Sequence, residues 1–329
     1  MSYNSRQNNM KTLTPTLLAA ALAALLPSLA AASCGASFCA VNTNWTSEGA
    51  LAESQNAFDL RYEYINQDQP MTGTRKLAVG EIHAHHDEVH TYNRNAVLRY
   101  SHSFGNGFGV EVSASVGKRE HLHIHNHHGA QLFDSWNFTE PGDVRVTGRY
   151  QLLSVEDPLK PTNAGIIFGL KLPTGKFDVA NAKGAIGERS MQPGTGTTDL
   201  IVGGYYHRKL TETGAAWFAQ GQYQHALNSR DNFRPGAQLG LDFGVRNSLT
   251  GTIGALAQIN VVVKRSDSGS DAEPESSGGR FLYASPGLSM ALPGNTQAYL
   301  FYQVPLYRHV TGIQLTAKSA IVLGISGQL

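Results

Sequence analysis

Apolar and polar side chains alternate along this chain in about twelve separate segments, which begin after residue 56. A clear example runs from Phe108 to Val116, where every second residue is apolar. Successive side chains of a β-strand point to opposite faces, so this period places the apolar residues of a segment on one face of a sheet. After residue 32 we find no segment with the 3.6-residue period of an amphipathic helix. The alternation therefore predicts an all-β fold.

The length of these segments matches that of a strand that crosses a membrane. They span roughly 57–66, 94–104, 107–118, 142–154, 164–173, 198–209, 215–226, 235–246, 248–262, 280–292, 295–306 and 317–329. Most are close to the ~9–11 residues that a tilted strand needs to cross a bilayer. In hydrocarbon every backbone N–H and C=O needs a partner within the protein, so strands cross only as a closed sheet. We predict a transmembrane antiparallel β-barrel of about 12 strands over residues 57–329.

The connections between the segments differ in length in a regular way. Short turns, such as those at 104–107, 246–248 and 292–295, alternate with long polar connections. The long ones are about 67–93, 119–141, 174–197 and 263–279. Outer-membrane barrels have short periplasmic turns and longer outer loops. With both chain ends in the periplasm, all the long connections are expected to lie outside the cell.

The composition fits a membrane barrel better than a soluble protein. Charged residues make up 16% of the chain, whereas about 25% is usual in soluble proteins. The net charge of +1 gives no electrostatic reason to expect a nucleic-acid partner. The partners that we expect are outer-membrane lipid, the barrel assembly machinery and a small-molecule or ion cargo. The predicted location is the bacterial outer membrane.

The first 32 residues have the features of a secretory signal peptide. Residues 17–32 are mostly apolar and rich in alanine, and they end in the small residues Ala30 to Ala32, which suit cleavage. Met10, followed by Lys11, offers an alternative natural start that gives a compact signal with a basic beginning. We predict a signal peptide over 1–32.

Residues 33–56 are predicted to form an N-terminal periplasmic segment with the chain's two cysteines, Cys34 and Cys39. Two cysteines this close in an exported chain favour a small disulfide ring. A soft metal site or a redox pair is the alternative. Cleavage directly before Cys34, which would make the protein a lipoprotein, is a further alternative.

The polar face of the strands is expected to line the lumen, because the apolar face meets lipid. It carries both signs of charge, at Asp59, Arg61, Glu63, Arg99, Glu111, Arg145, Arg149, Lys171, Asp242 and Arg246. Mixed charge of this kind fits a water-filled interior. It fits equally well a bore that salt bridges close, and the sequence leaves both open.

Ten of the thirteen histidines fall between His83 and His128, and nine of these ten form two clumps within consecutive long connections. The hairpin of the second and third strands joins these connections, so the clumps are expected to be neighbours. Neutral imidazole is the commonest transition-metal ligand, and carboxylates supplement it. The candidate ligands are His83, His85, His86, Asp87, Glu88, His90, His121, His123, His125, His127 and His128.

Alternate residues of an extended segment share a face about 6–7 Å apart, so His121, His123, His125 and His127 form a predicted ladder of imidazoles. Such a set suits Zn, Cu, Ni or Co. A polar or pH-sensitive surface loop that is merely rich in histidine is the alternative interpretation.

Two motifs flank the third long connection, Gly169-Leu-Lys-Leu-Pro-Thr-Gly175 and Gln192-Pro-Gly-Thr-Gly-Thr-Thr-Asp199. Further characteristic stretches are 34–45, 58–70, 302–307 and 310–316. Together they resemble the outer-membrane proteins grouped under the meta-pathway of phenol degradation, or as generic transporter barrels. The resemblance implies a Gram-negative outer-membrane β-barrel and a passive, porin-like pore. One departure is the end of the chain, Gln328-Leu329, because such barrels usually end in Phe or Trp, which the assembly machinery reads.

The sequence contains no His-Glu-x-x-His, no Gly-x-Ser-x-Gly and no P-loop, so we predict that the protein is not an enzyme. The leading hypothesis is an outer-membrane channel or transporter for metal ions or metal-linked small solutes, which the histidine-rich outer loops gather. The alternative is a non-transporting barrel that binds or senses metal at the cell surface.

Overall fold

The computed structural model describes residues 41–43, 54–81, 86–127, 130–155, 161–211 and 214–329. In these ranges the chain forms one antiparallel sheet of 13 strands. The strands are β1 (Ser54–Gly73), β2 (Arg75–Lys76), β3 (His86–Phe104), β4 (Phe108–His127), β5 (Ala130–Pro141), β6 (Val144–Val155), β7 (Thr162–Leu172), β8 (Asp199–Lys209), β9 (Ala216–Ala226), β10 (Gln238–Ser248), β11 (Ile253–Lys264), β12 (Gly279–Leu292) and β13 (Thr296–Gln328). No helix among the described residues is long and apolar enough to span a bilayer.

The sheet closes on itself between its last and first long strands. Neighbours in sequence pair with one another around the sheet, and β13 completes the circle by pairing with β1, from Val310 opposite Gly73 to Gln328 opposite Ala57. In the described part of the chain, only the short β2 and the outer strand β5 lie off this closed path. The predicted all-β antiparallel barrel is confirmed.

The long strand β13 folds back on itself and crosses the wall twice. Its residues 296–310 pair with β12, whereas residues 310–328 pair with β1. Gln297 Nε2 donates a hydrogen bond to Ser326 Oγ at 3.3 Å, although the two residues are 29 positions apart. The chain reverses near Gly312, which has a φ of 64°. Residues with a side chain rarely adopt this left-handed conformation, so glycine is favoured here. With this hairpin, the described wall contains twelve crossings, in agreement with the predicted number of strands.

The two faces of the wall differ in polarity. Leu239, Leu241, Phe243 and Val245 alternate along β10 and are exposed on the outside of the barrel. Exposed apolar side chains of the same kind continue around the barrel on the other strands, among them Leu60, Leu98, Val112, Phe168, Leu200, Leu288, Leu300 and Leu323. Such a continuous outer apolar surface is what a lipid-facing barrel requires.

The first two long connections, predicted as loops at 67–93 and 119–141, are instead mostly strand, so that part of the prediction was wrong. The pairing of β3 with β4 continues from Ser103 opposite Gly109 to His86 opposite His125. A strand of 20 residues such as β4 rises about 66 Å, whereas the hydrocarbon layer is only about 30 Å thick. The wall therefore continues beyond the membrane as an outer extension, formed by the distal ends of β1, β3 and β4 together with β5. Backbone pairing needs no apolar side chains, so the polar sequence did not end these strands.

The third and fourth long connections are irregular, as predicted. β7 ends at Leu172 and β8 begins at Asp199, while β11 ends at Lys264 and β12 begins at Gly279. Residues 173–198, which we call the inner loop, contain a single turn of 3-10 helix at Arg189–Met191. The inner loop packs against the outer extension, where Trp136 Nε1 donates to Ala185 O at 3.0 Å and Met191 is buried beside the same ring.

Candidate functional site

The polar residues of the strands face an internal space. A cavity of about 520 Å³ lies in the lumen and is lined by charged and amide side chains from most of the strands. Seven of the residues predicted for the lumen line it, namely Arg61, Glu63, Arg99, Glu111, Arg145, Lys171 and Asp242. Asp59 and Arg246 line a second cavity of about 270 Å³, towards the turn that joins β12 to β13. Arg149 is buried, with its guanidinium 5.2 Å from the centre of the Tyr205 ring.

Most of the luminal charges are compensated by neighbours. Arg61 Nε lies 2.7 Å from Glu63 Oε1, and Arg99 Nε lies 3.1 Å from Glu111 Oε1. Arg145 differs, because its described hydrogen-bond partner is the neutral Gln224, whose Oε1 lies 2.8 Å from Nη2. The luminal charges on β1, β3 and β4 thus form direct ion pairs, whereas Arg145 donates to the amide of Gln224 and interacts electrostatically with Asp199 and Asp143.

The segment Val41–Thr43 lies inside the barrel. Asn42 N donates to Gln258 Oε1 at 3.0 Å, and Gln258 Nε2 donates to Asn42 O at 2.7 Å. Val41 is buried among apolar residues of the inner wall, including Phe218 and Leu256. These residues belong to the segment 33–56, which we predicted to be periplasmic. Its cysteines, Cys34 and Cys39, lie outside the described residues, as does the predicted signal peptide, so both expectations remain predictions.

Thr43 connects this segment to the charged groups of the inner wall. Its hydroxyl donates to Asp59 Oδ1 at 3.1 Å and accepts hydrogen bonds from Arg61 and Arg99, at 3.1 and 3.0 Å. Val41 and Asn42 line the larger luminal cavity, whereas Thr43 lines the smaller one. The segment thus lies across the lumen between the two cavities.

The glycine motifs that flank the inner loop hold a carboxylate of the chain itself. Asp143, at the break between β5 and β6, accepts hydrogen bonds from the main-chain N–H groups of Gly175 and Thr195, at 3.0 and 3.1 Å. Lys171 Nζ lies 2.6 Å from the same carboxylate and also donates to Thr197 O at 2.8 Å. A Cβ on Gly194 would come within 2.5 Å of Gly175 O, so this close approach requires glycine. These contacts fix the inner loop over the lumen.

Three of the predicted metal ligands meet on the inner face of the outer extension. Glu88 of β3 and His121 and His123 of β4 are buried, and each offers one ligand atom within 4.8 Å of the others. His121 Nε2 lies 3.1 Å from His123 Nδ1 and 3.9 Å from Glu88 Oε2. The pairing register explains the cluster, because Thr91 is opposite His121 and Glu88 is opposite His123. Sequence alone did not single out this subset.

Two further residues position the His121 and His123 rings. Thr91 Oγ1 is 2.8 Å from His121 Nδ1, and Trp136 of β5 packs against both imidazoles, with centroid distances of 5.7 and 5.0 Å. Burial lowers the pKa of His121 to about 3, so the ring is neutral at physiological pH. Neither Thr91 nor Trp136 was predicted, because only the register of β3, β4 and β5 brings them to the cluster.

Asp87 and His90, the other predicted ligands whose side chains are described, do not belong to this cluster. Asp87 is buried and accepts a hydrogen bond from Gly80 N at 2.5 Å. His90 is opposite Leu122, on the other face of the sheet from His121, and its ring stacks on Tyr92 at 4.5 Å. The backbones of His86, His125 and His127 belong to β3 and β4. His83, His85 and His128 lie outside the described residues.

The closed wall, its apolar outer surface and its polar interior define an outer-membrane β-barrel. The fold is similar to that of a solved outer membrane channel from Pseudomonas putida F1, with a TM-score of 0.63 and 10% sequence identity over 85% of this chain and 97% of that chain. The predicted class and the predicted location in the bacterial outer membrane are thereby confirmed.

More distant likenesses are to a NanC porin and a KdgM porin, with TM-scores of 0.44 and 0.41 and 10% identity to each. Each likeness covers 83% of this chain, and 100% and 99% of those chains, respectively. No family model matches the chain, and no curated protein matches it either.

Proposed function

We propose that the protein is an outer-membrane channel for small hydrophilic solutes. The observation that carries this proposal is the presence of two polar cavities inside the barrel, of about 520 and 270 Å³. A barrel that only served as an anchor would have no need of a charged interior with cavities of this size. The shared fold with a solved outer membrane channel supports the same function.

The width of the path depends on parts of the chain that enter the barrel. Val41–Thr43 lies between the two cavities, and Ser190, Gln192 and Thr195 of the inner loop line the larger one. Solutes that pass must therefore be small and polar, or must displace one of these segments. The channel that we propose is consequently narrow. Its conductance depends on the two hydrogen bonds between Asn42 and Gln258, because they hold Val41–Thr43 inside the barrel.

The cargo that we propose is a metal ion or a metal-linked small solute. The support for this choice is the cluster of Glu88, His121 and His123. The two histidines lie on β4 just beyond Arg119, which lines the larger cavity. Imidazole and carboxylate groups bind transition-metal ions selectively over the alkali ions of the medium. The proposal includes no enzymatic step.

A barrel that binds or senses metal without transport is the second candidate. It is favoured by the presence of Val41–Thr43 and of the inner loop within the lumen, since both reduce the free cross-section. Flux measurements separate the two functions. Proteoliposomes with the purified barrel and an internal zinc-responsive dye should take up Zn²⁺ faster than liposomes without protein. Uptake at the rate of empty liposomes, with a folded barrel, would contradict the metal cargo.

A further inference from the structure

We propose that Glu88, His121 and His123 form a binding site for one divalent transition-metal ion of the zinc class. The site would have three protein ligands and a fourth position open to water or to a group that accompanies the ion. The geometry of these three side chains supports the site by itself, and only the role of the site in gathering cargo rests on the proposed channel function.

The distances suit a single ion. Two ligand atoms of a tetrahedral zinc site lie about 3.3 Å apart, because each metal–nitrogen bond is about 2.0 Å long. The separation of His121 Nε2 and His123 Nδ1, 3.1 Å, is already close to this value. Glu88 Oε2 lies 3.9 Å from His121 Nε2, so a small rotation of the carboxylate side chain completes the arrangement.

The surroundings favour a bound cation. All three side chains are buried, with exposed fractions of 4% for Glu88 and 2% for each histidine. A divalent ion suits a buried group of one carboxylate and two imidazoles, because it binds all three at once. The three groups are held on paired strands, so little ordering is needed when the ion binds.

The residues around the ligands orient them. Metal-bound histidines usually use the second ring nitrogen in a hydrogen bond that fixes the ring. Thr91 provides this partner for His121, at 2.8 Å from Nδ1, which leaves Nε2 directed to the cluster. Trp136 covers the two imidazoles from the side of β5 and excludes water from that face.

The ligand types define the class of ion. Two imidazoles and a carboxylate suit Zn²⁺, Ni²⁺, Co²⁺ and Cu²⁺, whereas Ca²⁺ and Mg²⁺ prefer sets made of oxygen alone. Because three ligands come from the protein, the fourth position can exchange its occupant. A closed structural site would use four protein ligands.

Titration of the purified, folded, full-length barrel with ZnCl₂ tests the site. After removal of adventitious metal with a chelator, isothermal titration calorimetry should detect one tight site per barrel. His123→Ala should weaken this site at least about 100-fold, because losing a ligand costs more than the 10–100-fold typical of losing its partner. Glu88→Gln, which keeps the size of the side chain, should also weaken it.

His90→Ala is the matched control, since His90 lies on the same strand as Glu88 but on the other face of the sheet. It should leave the tight site unchanged. Heat-modifiable gel mobility should show that every variant is folded, and Glu88→Gln serves if a histidine variant does not fold. The inference is overturned if folded wild-type protein has no tight site, or if folded Glu88→Gln and His123→Ala bind Zn²⁺ as the wild type does.

Cobalt gives an independent readout of the same site. One equivalent of Co²⁺ should produce the intense visible absorption of a four-coordinate ion, and His123→Ala should abolish it. A weak, six-coordinate spectrum in the wild type would overturn the inference. Both measurements are made at equilibrium without a gradient, so a barrel that binds metal but conducts nothing refutes only the channel function.

Discussion

Asn42 and Gln258 lie 216 positions apart in the chain and exchange two hydrogen bonds inside the barrel. Both bonds join the main chain of Asn42 to the side-chain amide of Gln258 on the inner wall. The Asn42 side chain adds a third contact, because its Nδ2 donates to Asp242 Oδ2 at 3.1 Å. The segment 41–43 is therefore held inside the lumen by specific hydrogen bonds to the inner wall.

Removal of this attachment should increase ion flow. Gln258→Ala deletes both hydrogen bonds to Asn42, so Val41–Thr43 should leave its position more often, and single-channel recordings should show larger or more frequent openings. Gln222→Ala is the matched control. Gln222 lines the larger luminal cavity, as Val41 and Asn42 do, but has no described hydrogen bond to the segment 41–43. Equal conductance in the two variants would show that the segment does not limit flow.

The buried ion pair beneath the inner loop should be important for stability. Lys171 Nζ lies 2.6 Å from Asp143 Oδ2 and 3.4 Å from Asp199 Oδ1. Lys171→Met removes this shared cation, and breaking a buried pair in this way costs about 3–5 kcal/mol. We expect a lower midpoint in urea unfolding of the barrel in lipid vesicles, followed by tryptophan fluorescence. Lys183→Met, which removes an exposed pair with Asp134, is the control and should change stability by less than about 1 kcal/mol. Equal midpoints for both variants would refute this role of Lys171.

The lipid-facing surface can be tested on β10. Leu241→Arg places a charge on the outer face, two residues from the middle of the strand, and should destabilise the barrel by about 2 kcal/mol in lipid. Leu249→Arg, in the exposed turn after β10, should have little effect. The comparison is made by urea unfolding in vesicles. An equal loss of unfolding free energy in both variants would contradict the claim that Leu241 faces lipid and Leu249 does not.

Topology can be read from chemical labelling of whole cells. A cysteine at Ser270, in the connection between β11 and β12, should react with an impermeant maleimide, whereas one at Leu249 should react only after the outer membrane is permeabilised. The wild-type chain controls for Cys34 and Cys39. The reverse pattern would place the long connections in the periplasm.

The orientation of His121 by Thr91 gives a prediction for the metal site. Thr91→Val keeps the shape of the side chain but removes the hydroxyl beside Nδ1, so affinity for Zn²⁺ should fall about 10–100-fold. Cu²⁺ should quench the fluorescence of Trp136, which contacts both imidazoles, and Trp136→Phe should remove this quenching. Unchanged affinity in Thr91→Val would mean that the hydroxyl does not orient the ring.

The sequence was sufficient for the parts of the fold that the membrane dictates. Strands such as β10 must place apolar residues outwards at every second position, and this requirement is visible as alternation. Outside the membrane the requirement disappears. The distal half of β4, which carries His121 and His123, therefore had a polar sequence that resembled a loop, although backbone pairing with β3 continues.

The candidate site was only partly predictable for a related reason. The clustering of histidines indicated metal chemistry, but the choice of Glu88, His121 and His123 depends on the register between β3 and β4, which includes a bulge between Glu88 and His90. The contact of Asn42 with Gln258 left no local pattern at all, because it joins a short segment to a strand far along the chain.

The most direct test of the channel function is the conductance of the purified wild-type barrel in planar lipid bilayers. The structure predicts discrete, reproducible steps of small unitary conductance, since a polar lumen leads past Val41–Thr43 and the inner loop. Heat-modifiable gel mobility shows whether the barrel is folded. If the folded wild type and the folded Gln258→Ala variant both insert and neither gives conductance steps, the channel function is contradicted.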